Sequence, residues 1–297
     1  MSDNDKMTHD QHYVPKCYLE KWYDSTQHLY GLNMNWRSIK SYESKSCCDL
    51  PDLYEFSKGL VPDCSDKWMY IFPNYMEDRY GKLETQAGLF YKDALPLLNS
   101  SKGTYNPVFN TQEKAFLKKF LTTMAIRNPN YDGFDESDII CQNEELLKIE
   151  SSLNEFFVEE DSRRLLNNIV ARVICIWDGS DNVPNSSDDE YQQLGGGFYR
   201  YFRSQLDKFY LYILASDGKF ITSDMPVVLD DDFCYFPLSP DYACLYMSVH
   251  GKERLPNRIY YCEDVDKYNS WILKSYKNYI YAKDRNILEC LKNEYLQ

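Results

Sequence analysis

Phe209-Tyr210-Leu211-Tyr212-Ile213-Leu214 decides the fold. A six-residue run of aromatic and branched aliphatic side chains is what a buried strand requires. It opens a series: residues 219–222, 227–229, 235–238 and 243–249 each read as a strand, separated by Gly, Pro and Asp turn signals. Before this series lies a polar stretch, 179–197, rich in Gly, Ser and Asp. Across it the hydrophobic period changes from near 3.6 to near 2.

Upstream, Met76, Tyr80, Leu83, Ala87, Phe90 and Ala94 recur at spacings of three and four, predicting a helix from Tyr75 to about Leu98. A second helix is predicted from Thr111 as N-cap, through Phe116, Phe120 and Met124, to the stop at Asn128-Pro129. Two further helices are expected over about 136–159 and 161–177. Nearer the start, 29–34 and 36–42 read as a hairpin around Asn33-Met34-Asn35. Pro15 suits the first turn of a short helix over 17–23. After the strand series come a helix over 265–276, a strand over 279–282 and a helix over 285–295.

Strands at both ends of a helical middle predict an α+β fold, with the helical region packed on a mixed or antiparallel sheet built from N- and C-terminal strands. Residues 1–10 are expected to be disordered, being polar and terminal. Residues 11–297 are expected to form a single domain, with 179–197 as a long surface loop.

Composition narrows the function classes. With 297 residues, the chain can bury roughly three quarters of its unfolded surface. The net charge is −13 and the isoelectric point near 4.8, which disfavours general binding to a phosphate backbone and leaves room for a local basic cleft. Tyrosine is over-represented at 27 residues; each brings large buried area and a hydroxyl that wants a partner. The ten cysteines are scattered without a CxxC, and 1–11 has no apolar core. The expectation is a cytoplasmic, reduced protein without a membrane span. Walker A, dinucleotide-binding and GxSxG patterns are absent from the sequence.

Several short stretches have a fixed look: His12-Tyr13-Val14-Pro15 with Tyr18-Leu19, Asp52-Leu53-Tyr54, Glu84, Ala125-Ile126-Arg127-Asn128-Pro129, Thr222-Ser223-Asp224-Met225-Pro226, Pro237-Leu238-Ser239-Pro240 and Asn269. In order and spacing they resemble the HYVP-motif family catalogued as domain of unknown function 4238, over nearly the whole chain. The resemblance implies no established activity. The chain departs from the pattern at Cys17, usually a large apolar residue, and at Met225, where asparagine is common.

Four side chains are candidates for chemistry. His12 could move protons or ligate a metal, or it could pin the N-terminus to the C-terminal sheet. Asp224 could be a carboxylate facing a cleft at a strand end, or a turn residue bonding backbone N–H groups. Arg127 could present its planar fork to a carboxylate or phosphate; its expected partner is Glu84 or Asp224. Glu84, among Tyr80, Leu83 and Ala87, needs a partner if buried. Asn269 and Ser239 read as a bridging residue and a turn residue. One function reading is a hydrolase, nuclease-like in chemistry, of the kind that serves phage defence or acts as a toxin. His12, Glu84, Arg127 and Asp224 would then share a cleft, with a metal ion or water held by a carboxylate. The other reading is a ligand- or protein-binding module in which the same residues form a structural polar network. The cofactor, the oligomeric state and the partner, whether small molecule, nucleic acid or protein, are not given by the sequence.

Overall fold

The computed structural model describes Thr8 and residues 10–51, 53–54, 75–102, 107–129, 206–248 and 255–295. In chain order the elements are β1 (Asp10–His12), α1 (Lys16–Leu19), β2 (Leu29–Asn33), β3 (Ser38–Tyr42), β4 (Asp49–Pro51), α2 (Tyr75–Ser100) and α3 (Thr111–Arg127). They continue as β5 (Tyr210–Ala215), β6 (Thr222–Ser223), β7 (Val228–Leu229), β8 (Phe233–Pro237), β9 (Tyr242–Met247), β10 (Ile259–Tyr261), α4 (Val265–Ser275), β11 (Tyr279–Ala282) and α5 (Arg285–Tyr295). The helices expected over 136–177 and the loop expected over 179–197 lie outside the described residues, as do residues 1–7 and 9.

The chain divides into two compact units, one of Met1–Gln11, Leu50–Leu83 and Tyr131–Arg203, the other of His12–Asp49, Glu84–Asn130 and Ser204–Gln297. In the first, the Tyr54 and Tyr80 rings meet edge to face at 5.0 Å. The Tyr54 amide donates to Gln11 Oε1 at 2.6 Å.

The second unit holds two sheets. The first is four-stranded and antiparallel, in the order β3-β2-β11-β6. Here the N-terminal hairpin pairs with C-terminal strands, as the α+β reading requires. Gly31 of β2 makes this sheet possible. A Cβ there would lie 2.8 Å from Tyr42 Cε2 and 2.9 Å from Tyr281 Cε1, so the two tyrosine rings occupy the space a side chain would need. The second sheet is five-stranded, β10-β5-β9-β8-β7, and mixed: β10 runs parallel to β5 and the other pairs are antiparallel.

Alternation along β8 and β9 gives this mixed sheet two apolar faces. Phe236 faces the helices. Its ring lies 5.1 Å from Tyr18 of α1 and 6.3 Å from Phe120 of α3, and Tyr18 in turn lies 6.5 Å from Tyr91 of α2. Phe233 and Tyr235 face the other way, against α4, where Trp271 stacks on Phe233 at 4.1 Å and Tyr268 on Tyr235 at 5.9 Å. The Tyr18 hydroxyl joins the two sheets: it lies 2.6 Å from Thr222 Oγ1 of β6 and donates to the Pro237 carbonyl of β8 at 2.9 Å.

Side chains set the element ends. The N-cap of α3 is Asn110, one residue before the expected Thr111. Asn110 and Glu113 bond reciprocally at 2.9 and 2.6 Å, a capping box that a threonine at 111 could not form with Glu113. Asp264 caps α4 by accepting from the Lys267 amide at 3.1 Å. None of the helices among the described residues is long and apolar enough to cross a membrane.

Candidate functional site

The site is built by three chain segments that end close together in the second unit, together with Glu84 of α2. β1 delivers His12, and the next amide, Tyr13 N–H, donates to the Cys48 carbonyl at 2.9 Å. α3 ends at Arg127, with Asn128 as its C-cap. β6 runs directly into Asp224, whose own amide donates to Tyr279 O at 3.1 Å.

Arg127 gathers the first two. Its Nη1 donates to Glu84 Oε1 at 2.9 Å, and its Nη2 donates to the backbone carbonyl of His12. The guanidinium side chain is 1% exposed and the Glu84 side chain 23%. A sealed guanidinium requires a counter-charge of this kind, because an unpaired buried charge costs several kcal/mol, of order 3–5 when one partner of a pair is removed. Of the two partners the sequence suggests for Arg127, the structure therefore uses Glu84.

Asp224 is engaged elsewhere. It is fully buried, and its carboxylate accepts from three consecutive amides ahead of and within β11: Lys277 at 2.9 Å, Asn278 at 2.7 Å and Tyr279 at 3.1 Å. Burial pushes its carboxyl above the ordinary carboxylate value, and the three N–H donors pull against that rise. Next to it, the Ser223 hydroxyl accepts from the Met225 amide at 3.0 Å, the local turn bond expected of a serine before Asp-Met-Pro. Asn128 completes the connection: its Nδ2 donates to the Asp224 carbonyl at 2.7 Å. The Arg127-Asn128 pair thus holds the His12 backbone with one side chain and the Asp224 backbone with the next.

His12 is buried, with 3% of its surface exposed. Burial lowers its pKa below the usual value. The Lys16 and Arg127 cations add to that, and Asp49 and Glu84 oppose it. The neighbouring thiols are held protonated. Burial raises Cys17 to about 12, and it raises Cys48, 3.6 Å from the Tyr281 hydroxyl, well above the ordinary thiol value. No group of three or more His, Cys, Asp or Glu side chains among the described residues is placed to hold a metal ion.

The structure therefore brings His12, Glu84 and Arg127 together and links Asp224 to them through Asn128, by backbone and not by its carboxylate. The two weaker candidates also find structural partners. Asn269 accepts from the Ile221 amide at 3.2 Å and donates to Lys219 O at 3.0 Å. Ser239 Oγ accepts from the Asp241 and Tyr242 amides at 3.3 and 3.2 Å. Sequence reasoning passed over Asn128. Its signal was its place between the last helical residue and Pro129, where a C-cap side chain is free to turn away from the helix.

Apart from this network, the α4 side of the mixed sheet contains a cavity of about 330 Å³, lined by Asp232 ahead of β8, by Phe233, Leu245 and Met247 of the strands and by Lys267, Tyr268 and Trp271 of α4. The Lys267 ammonium lies 5.7 Å from the Tyr268 ring centre and 6.0 Å from that of Trp271. The cavity is thus aromatic, with one cation already resting on its rings.

No curated protein and no solved structure matches the chain. A family model does, described as "Protein of unknown function (DUF4238)", over residues 10–286. That span contains His12, Glu84, Arg127, Asn128 and Asp224 alike, and the chain belongs to this family.

Proposed function

We propose that the protein is a non-catalytic binding module in which His12, Glu84, Arg127 and Asp224 form a structural polar network. The engagement of the Asp224 carboxylate carries this reading. A catalytic or metal-binding carboxylate needs a free lone pair facing a water-accessible space, whereas this one is fully buried and accepts three amides. Arg127, sealed between Glu84 and the His12 carbonyl, is likewise poorly placed to meet a substrate. Binding would fall to a surface such as the aromatic cavity of Phe233, Tyr268 and Trp271, which has the apolar walls and few polar groups typical of small-ligand sites.

The test is thermal unfolding of the wild type, His12→Ala and Asp224→Ala, each with and without Mg²⁺, Mn²⁺ and Zn²⁺. Under this reading both variants lose several degrees and no metal matters. Variants that melt like the wild type but lose a metal-induced stabilisation would sink it.

One observation favours the hydrolase reading, a nuclease-like effector acting in phage defence or as a toxin. Glu84 keeps part of its side chain in solvent while touching Arg127. In that reading Glu84 takes a proton from water and Arg127 steadies the developing charge of a phosphodiester. Glu84→Gln would then abolish cleavage of a generic phosphodiester such as bis(p-nitrophenyl) phosphate with little change in melting. An uncleaved substrate with the wild type rules this reading out.

A further inference from the structure

We propose that Arg258 is an anion anchor that takes a carboxylate or phosphate group from a small ligand. Its Nε and Nη1 are buried and make no hydrogen bond among the described residues. The contrast with Arg127 is direct. For that guanidinium the fold supplies a carboxylate and a carbonyl; for Nε and Nη1 of the half-buried Arg258, no described residue supplies either. Buried N–H donors without a partner are costly enough that an acceptor is expected from outside the chain. A guanidinium fork also matches the geometry of planar or tetrahedral oxyanions.

The backbone around Arg258 is rigid, as an anchor requires. Asn257 sits at φ +58°, in the left-handed region. It is held on every side: its amide donates to Leu211 O at 2.5 Å, its Oδ1 accepts from the Phe109 amide at 3.0 Å, its Nδ2 donates to Phe109 O at 2.6 Å, and its carbonyl accepts from the Val108 amide at 2.9 Å. The Arg258 carbonyl accepts from the Ile213 amide at 2.9 Å, extending the parallel β10–β5 ladder by one residue. Two residues apart in an extended segment, Arg258 and Tyr260 share a sheet face, and the Tyr260 ring lies 6.1 Å from that of Tyr212. The ligand's oxyanion would therefore meet Arg258 beside two aromatic rings. The geometry stands whether the His12 network is structural or catalytic.

The experiment compares full-length wild type with Arg258→Met in Tris chloride. Inorganic phosphate and sodium acetate are added separately, against sodium chloride at matched ionic strength. Thermal unfolding and calorimetric titration are read for each. The wild type is expected to gain melting temperature from phosphate, acetate or both, beyond the chloride control. Arg258→Met should lose that gain, with affinity reduced at least about tenfold, since a hydrogen bond to a charged group contributes about 1.5–3 kcal/mol. Without added anion the Met variant should melt at or above the wild type, because it no longer buries two unpaired N–H donors. A response to phosphate alone identifies a phosphoryl group, and one to acetate alone a carboxylate. The proposal is overturned by a wild type that responds only as it does to chloride, or by a Met variant that keeps the full anion response. A Met variant that is unstable or unfolded without anion overturns it too, since Arg258 would then be holding the fold.

Discussion

Replacing Asp224 separates a structural carboxylate from a catalytic one by magnitude. In Asp224→Ala the amides of Lys277, Asn278 and Tyr279 lose their acceptor together. An orphaned donor costs about 1–3 kcal/mol. These three are only partly buried, so the lower half of that range applies to each, and the sum is about 3–6 kcal/mol. Asp224→Asn should be milder. Its carbonyl oxygen can replace Oδ2, which serves Asn278 and Tyr279, but its amide nitrogen then faces the Lys277 N–H, donor against donor. One bond is lost instead of three, at about 1–3 kcal/mol. Against a total stability of about 5–15 kcal/mol, the alanine variant should show a clear fall in urea midpoint at an unchanged slope. Hydrogen exchange should locate the damage at 277–279. An alanine variant within about 1 kcal/mol of the wild type, or one no worse than the asparagine variant, refutes the reasoning.

Three further outcomes follow from the same structure. Tyr18→Phe removes the hydroxyl that meets Thr222 and Pro237 and should cost about 1–2 kcal/mol in urea unfolding; no loss would mean the two sheets do not depend on that link. Gly31→Ala forces a methyl group against the Tyr42 and Tyr281 rings and should cost about 1–3 kcal/mol by overpacking, read as a lower melting temperature. His12 has its folded pKa lowered from an ordinary 6.5, with Lys16 and Arg127 adding to the effect and Asp49 and Glu84 opposing it. Its neutral form is therefore favoured in the fold. The stability it contributes is present above pH 6.5 and is lost as the pH falls toward the folded value, at up to about 1.4 kcal/mol per pH unit. Comparing wild type and His12→Gln at pH 7.5 and 5.5 checks this, and equal pH dependence in the two proteins contradicts it.

The strands whose side chains carry their own pattern were legible. β11, Tyr279–Ala282, and the β2–β3 hairpin fall where alternation and turn residues place them. Of the run expected over 219–222 only Thr222 lies in the ladder, because the Lys219 carbonyl and the Ile221 amide are satisfied by the Asn269 side chain and not by a neighbouring strand. β10 went unread. Three residues, Ile259–Tyr261, are too few to show a period, and its parallel partner β5 lies more than forty residues upstream. Within the site, the Arg127–Glu84 pair was legible because opposite charges in apolar surroundings must meet. The partners of Asp224 were not, since any residue can offer a backbone N–H and the sequence at Lys277-Asn278-Tyr279 carries no mark of it.

These bonds give the scattered motifs of the sequence a single physical meaning. The N-terminal His12–Pro15, the helix end at Arg127-Asn128 and the Thr222–Pro226 turn lie far apart in sequence, yet the helix end satisfies backbone groups of the other two and the turn satisfies those leading into β11. Arg127 holds the carbonyl of His12, Asn128 holds that of Asp224, and Asp224 holds the amides leading into β11. β11 is the strand that pairs with the N-terminal hairpin, so the chain of bonds closes on itself through β2. Such a circuit needs particular side chains at particular positions even if it never touches a substrate, because each lost member leaves a buried charge or donor behind. Fixed polar residues are then expected of the architecture alone. Evidence for a ligand must come from groups the circuit leaves unsatisfied, and among the described residues Nε and Nη1 of Arg258 meet that condition.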